Sequence, residues 1–183
     1  MKTRMAFLVA ATIAALALAA AAVAGTITAT ATVSGAGSMS ITGGSSASMS
    51  DTLDGTDQTA SWSVPFNVTD ARGTGAGWNL TITSTTFTDG NGDTLPTSAS
   101  QIGSVAAACV NGGTCSSPTN AVSYPIAVPA GTTAPAAVKF FNAATSTGMG
   151  RFTVTPTVNV SIPGNSFAGT YTSTVTIAAV SGP

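Results

Sequence analysis

Asp70-Ala-Arg-Gly-Thr-Gly-Ala-Gly-Trp-Asn-Leu80 joins a glycine-rich turn to the opening of a strand. Gly73, Gly75 and Gly77 alternate through the turn, as a chain requires where several backbone positions take φ > 0, a region that glycine enters without steric cost. From Trp78 onward the pattern becomes strict alternation. Trp78, Leu80 and Ile82 fall on one face, and Asn79, Thr81 and Thr83 on the other. A period of two with one apolar side is a strand covered on one face.

The same period recurs along the chain. Thr26 to Val33 alternates Ile27, Ala29, Ala31 and Val33 with threonines, and Met39 to Thr42 is a second short strand. A polar loop over Gly43 to Thr59 leads to Ser61–Val68, which turns Trp62, Val64, Phe66 and Val68 inward and is confined by Pro65 to an edge or a bulge. With the glycine turn between them, Ser61–Val68 and Trp78–Phe87 are expected to form an antiparallel hairpin, with Trp62 as cross-strand neighbour of Trp78. Further strands are expected over Ile102–Val110, Ala121–Val128, Val138–Phe141, Phe152–Ile162 (interrupted by Pro156) and Tyr171–Val180. No stretch past the N-terminal apolar run keeps a helical period. The expectation is an all-β, single-domain β-sandwich or distorted barrel of roughly eight to ten short strands.

The turn and strand also carry a resemblance. Val68, Asp70, Arg72, Gly73, Gly75, Gly77, Trp78 and Leu80 match the pattern V-x-D-x-R-G-x-G-x-G-W-x-L, and the segment resembles the first signature of the WxL domain family of Gram-positive surface proteins. The closing stretch Ala168-Gly-Thr-Tyr-Thr to Pro183 is similar to the family's last strand, with Tyr171 in place. It departs from the family at the second Trp-x-Leu, where Ile177 and Ala179 stand instead. The resemblance spans roughly Gly35 to Pro183. It implies an exported domain held non-covalently on the cell wall, commonly through peptidoglycan, with Asp70, Arg72, Gly75, Gly77, Trp78 and Leu80 as the motif and candidate wall contact.

The beginning of the chain reads as a targeting segment. Lys2 and Arg4 precede an apolar run over Ala6–Ala20, and Ala22-Val23-Ala24 is a small-x-small cleavage site. Residues 1–24 are therefore expected to be a Sec signal peptide, with 25–183 the secreted domain and no membrane span left after cleavage. In that reading the chain is all anchor and no cargo. Only 6% of the 183 residues are charged, and Glu and His are absent. Past Ala24, Arg72, Lys139 and Arg151 face six aspartates, a net charge of −3. Such a surface offers no electrostatic footprint for nucleic acid. It suits a neutral hydrogen-bonding partner, a wall glycan or another surface protein, and its weak charge favours self-association.

Chemistry-bearing clusters are few. Without His there is no Ser-His-Asp triad, and without Glu no paired glutamates for glycoside cleavage, so no enzyme activity and no cofactor are expected. Lys139 reads as an outward strand residue. Asp89-x-Asn91-x-Asp93 has the oxygen spacing that opens calcium loops, but Thr94 stands at the sixth position and Ser100 at the twelfth. A hairpin turn on Asn91-Gly92 accounts for the same residues. Cys109 and Cys115, exported together, read as a disulfide closing a small ring. Trp78 admits two readings, a core residue by its alternation with Leu80 and Ile82, or a sugar-stacking platform. The alternative to wall binding is a subunit of a surface layer, fibre or multi-protein complex, joined through strand edges.

Overall fold

A computed structural model describes residues 29–35 and 37–183. The segment read as a signal peptide lies outside the described residues, as does the start of the strand expected from Thr26. Residues 29–33 form no strand, and Val33 is exposed.

From residue 34 on, the chain is a two-sheet β structure with no helix among the described residues. The strands are β1 (Met39–Gly43), β2 (Gln58–Ser63), β3 (Phe66–Asp70), β4 (Trp78–Thr85), β5 (Ser100–Cys109), β6 (Ile126–Ala127), β7 (Ala130–Gly131), β8 (Val138–Ala143), β9 (Gly150–Ile162) and β10 (Val175–Ser181). One sheet has the order β1-β3-β9-β5-β6, with β2 also on β9. The other is built on β4, which pairs with β10 on one side and with β8 and β7 on the other. The sheets remain separate, so the sandwich alternative holds and the barrel does not.

The core lies between them. β9 buries every second residue from Phe152 to Val160, β3 contributes Phe66 and Val68, and β4 answers with Trp78, Leu80 and Ile82. The Trp78 ring sits 5.8 Å from Phe141 on its own sheet and 6.3 Å from Phe152 on the other, both tilted. Such tilted aromatic contacts are favourable beyond the area they bury.

The expected hairpin across the glycine turn does not form. Ser61–Val68 is split at Val64-Pro65 into β2 and β3, and both halves pair with β9. β4 belongs to the opposite sheet, and Trp62 faces Val158 instead of Trp78. Alternation gives the inward residues correctly but cannot say which sheet covers them. The interruption expected at Pro156 is also absent, since β9 runs unbroken through it. β2 ends opposite Thr157 and β3 begins opposite Val154, so Pro156 lies at the gap that Pro65 makes in the neighbouring strand. A residue without an N–H is tolerated where the ladder is already interrupted.

Of the strand expected over Ala121–Val128, only Ile126–Ala127 pairs. The stretch before it runs beside β8 through side chains. Asn142 N–H donates to Asn120 Oδ1 (3.0 Å), Ala121 N–H donates to Asn142 Oδ1 (2.9 Å), and the Tyr124 hydroxyl donates to the Phe140 carbonyl (2.8 Å). Amide side chains here replace the backbone ladder. Lys139 points outward, as its place in the pattern requires.

Candidate functional site

The glycine turn carries the chain from one sheet to the other. Asp70 ends β3, paired with Met39 on β1 and Gly150 on β9. Trp78 opens β4 in the facing sheet. Between them Gly73, Gly75 and Gly77 all have positive φ, at 70°, 63° and 72°. At Gly77 a side chain is excluded twice over, because a Cβ there would also lie 2.5 Å from the Ala143 carbonyl oxygen.

Arg72 closes this crossing. Its Nε donates to Asp70 Oδ1 (2.8 Å) and its Nη2 to Asp70 Oδ2 (2.9 Å), a two-point pairing of planar groups. The same Nη2 donates to the Gly77 carbonyl (2.7 Å), and Nη1 to Ser181 Oγ at the end of β10. One side chain thus ties the rim of the first sheet to the first and last strands of the second. Asp70 is buried, and its carboxylate survives there through these donors: Arg72 hydrogen bonds hold it below the ordinary carboxylate range, against the upward push of burial. Asp70 in turn holds the guanidinium pKa above its ordinary value.

Trp78 has no exposed surface. Its indole N–H donates to the Gly148 carbonyl at 2.8 Å. Gly148 (φ 69°) must be glycine, since a Cβ would collide with Ala143 and lie 2.6 Å from the indole nitrogen. Gly148 N–H donates to Ser116 O (2.7 Å), the residue after Cys115, and Ser116 N–H to Met149 O (2.9 Å). Cys109 and Cys115 are joined in a disulfide, with 6.0 Å between their Cα atoms. The ring therefore anchors the segment that positions the acceptor of Trp78. The sugar-stacking reading of Trp78 is corrected by this burial, because a ring enclosed on all sides presents no face to a ligand.

The closing strand meets the first motif directly. In the antiparallel register Ala179 lies opposite Leu80, Ile177 opposite Ile82, and Ser181 opposite Trp78. Ile177 and Ala179 are half-buried against the core, as is Tyr171. Gly182 N–H donates to the Gly77 carbonyl (3.1 Å), and Asn79 Nδ2 donates to the Gly182 carbonyl (2.8 Å). The two signatures are thus one structural unit, and the inward position facing Leu80 is filled here by a small side chain.

The Asp89–Asp93 segment is a turn between Thr88 and Thr94. Asp89 Oδ1 accepts the N–H groups of Asn91 (2.8 Å) and Asp93 (3.1 Å), and Oδ2 accepts Asn91 Nδ2 (3.0 Å). Both carboxylate oxygens thus serve the turn itself, the geometry of an Asx turn. Pattern reading overlooked Gly148 and Ser181, which complete the motif from distant positions, and it overlooked Phe167. That ring stands 69% exposed in the loop Pro163-Gly-Asn-Ser-Phe-Ala-Gly169, where turn residues on both sides of an aromatic were the available clue.

A family model described as WxL domain, surface cell wall-binding, matches residues 28–178. No curated protein and no solved structure matches the chain.

Proposed function

We propose, from the premise that this chain belongs to the WxL domain family, that it binds the cell wall non-covalently through peptidoglycan after removal of residues 1–24. The family places it at the cell surface, in association with the wall, among domains of a binding kind. The observation that carries the finer reading is the intact motif unit: Asp70, Arg72, Gly77 and Trp78 are engaged together, and the degenerate closing strand still docks on Leu80. In this reading the motif maintains the surface that binds and does not itself touch the polymer. Three cations past residue 24 give anionic wall polymers little to hold, which favours the uncharged glycan.

Co-sedimentation of the purified domain with walls stripped of teichoic acid tests the proposal. Binding is expected to persist in moderate salt, because few charges are present to be screened. Folded protein that remains in the supernatant would refute it. A second reading, a subunit of a surface assembly, is supported by β10, an edge strand among the described residues with Val180 exposed at 45%. Oligomers on a sizing column, without wall binding, would favour it.

A further inference from the structure

We propose that the cleft beside Phe167 is a binding site for an uncharged glycan chain, with the Phe167 ring as its stacking platform. The inference takes its class of ligand from the wall-binding reading, but the cleft is argued from its own geometry. One hollow of about 780 Å³ lies between residues 47–53 and the loop leading into Tyr171. A second, of about 450 Å³, opens toward the Asp89–Asp93 turn. The two share Leu95, Ser166, Phe167 and Tyr171, so Phe167 stands where they meet. The larger falls within the ~300–1,000 Å³ typical of small-ligand sites.

Phe167 is exposed but its backbone is held. Its carbonyl accepts the Tyr171 hydroxyl at 3.0 Å, and Ser166 N–H donates to Pro163 O at 2.9 Å. Gly164 N–H donates to Asp57 Oδ1 (2.9 Å), and Thr172 pairs with Thr88. A fixed loop that leaves a large ring in water forgoes the burial that would stabilise it, and the hollows on either side of the ring give that exposed face room for a ligand. The ring offers a flat apolar face to the C–H side of a pyranose. Thr170 lines the larger hollow and Asp93 and Asn165 the smaller, residues whose hydroxyl, carboxylate and amide are suited to vicinal sugar hydroxyls. Asp51 and Asp93 contribute negative charge and the lining contains no Lys or Arg, so a phosphate-bearing polymer is disfavoured where a neutral sugar is not.

The test is a titration of the isotope-labelled mature protein with a soluble tetramer of N-acetylglucosamine, followed by amide chemical shifts. Shifts are expected in residues 163–172 and in the Asp89–Asp93 turn, and poly(glycerol phosphate) is expected to leave them unmoved. Phe167→Ala should weaken the tetramer by about tenfold or more with an unchanged circular dichroism spectrum, since the ring supports no core. Phe167→Tyr, which keeps a stacking face, should restore binding. Tetramer binding unaffected by Phe167→Ala, or no shifts in the cleft on wild-type protein, would overturn the proposal even if walls still sediment the domain. Shifts in the cleft without wall sedimentation would uphold the cleft and refute the wall-binding reading.

Discussion

Replacing Trp78 by alanine separates a structural motif from a contact motif. Trp78 is wholly enclosed by residues from both sheets, so the substitution removes the largest fully buried side chain of the core. Losses of this kind cost about 3–5 kcal/mol from transfer and cavity together. The Gly148 carbonyl, left without its indole donor, adds about 1–3 kcal/mol. The sum, roughly 4–8 kcal/mol, approaches the whole stability of an ordinary domain, about 5–15 kcal/mol. At roughly 2–4 °C per kcal/mol for a chain of this size, the melting temperature should fall by more than about 8 °C, or the protein should not fold. Trp78→Phe keeps a ring and loses only part of the volume and the donor, so its loss should be clearly smaller. Far-UV circular dichroism during heating, alongside wall co-sedimentation, gives the answer. Trp78→Ala that melts within about 2 °C of wild type yet fails to bind walls would refute the reasoning and make Trp78 a ligand contact.

Acid should loosen the clasp at Asp70. Its folded pKa lies below the ordinary 3.8, so the folded state binds fewer protons than the unfolded one, and the stability present above about pH 4 is lost as pH falls through the lowered value. Melting temperatures from pH 7 to pH 2.5 should show this decline, and Asp70→Asn should start lower at pH 7 and flatten it; an acid limb unchanged by the substitution would contradict the assignment. Opening the Cys109–Cys115 ring with a double serine variant should cost roughly 2 kcal/mol by loop-closure arithmetic and leave the fold formed. Free thiols titrating in freshly secreted, non-reduced protein would contradict that pairing. Intact-mass measurement of protein from the native host should give a chain beginning at Gly25, and a mass retaining Met1 would instead indicate a tethered protein.

Most of the strands, their inward faces and the motif are legible in the sequence, although residues 29–33 form no strand and only Ile126–Ala127 pairs within Ala121–Val128. Period-two alternation names Trp78, Leu80 and Ile82 as one face, and Trp62, Val64, Phe66 and Val68 as another, because side-chain direction along a strand is a local property. The positive φ at Gly73, Gly75 and Gly77 is equally local, and the glycines announce it. Pairing is not local. Pro65 marks an irregularity in Ser61–Val68, but nothing local says that both halves, β2 and β3, lie on β9, or that the turn after them crosses between sheets instead of folding back as a hairpin. The uninterrupted β9 through Pro156 depends on a gap made by another strand. The same holds for the motif's chemistry. Asp70 and Arg72 are adjacent enough to be paired on sight, but Gly148 and Ser181, which complete the indole and guanidinium bonding, lie about seventy and a hundred residues away. Whether Trp78 faced the core or a ligand was open in the sequence because an apolar strand face can be covered by either. In the fold, Phe141, Phe152 and Gly148 surround the ring, contacts between residues whose only relation is that the sheets bring them together.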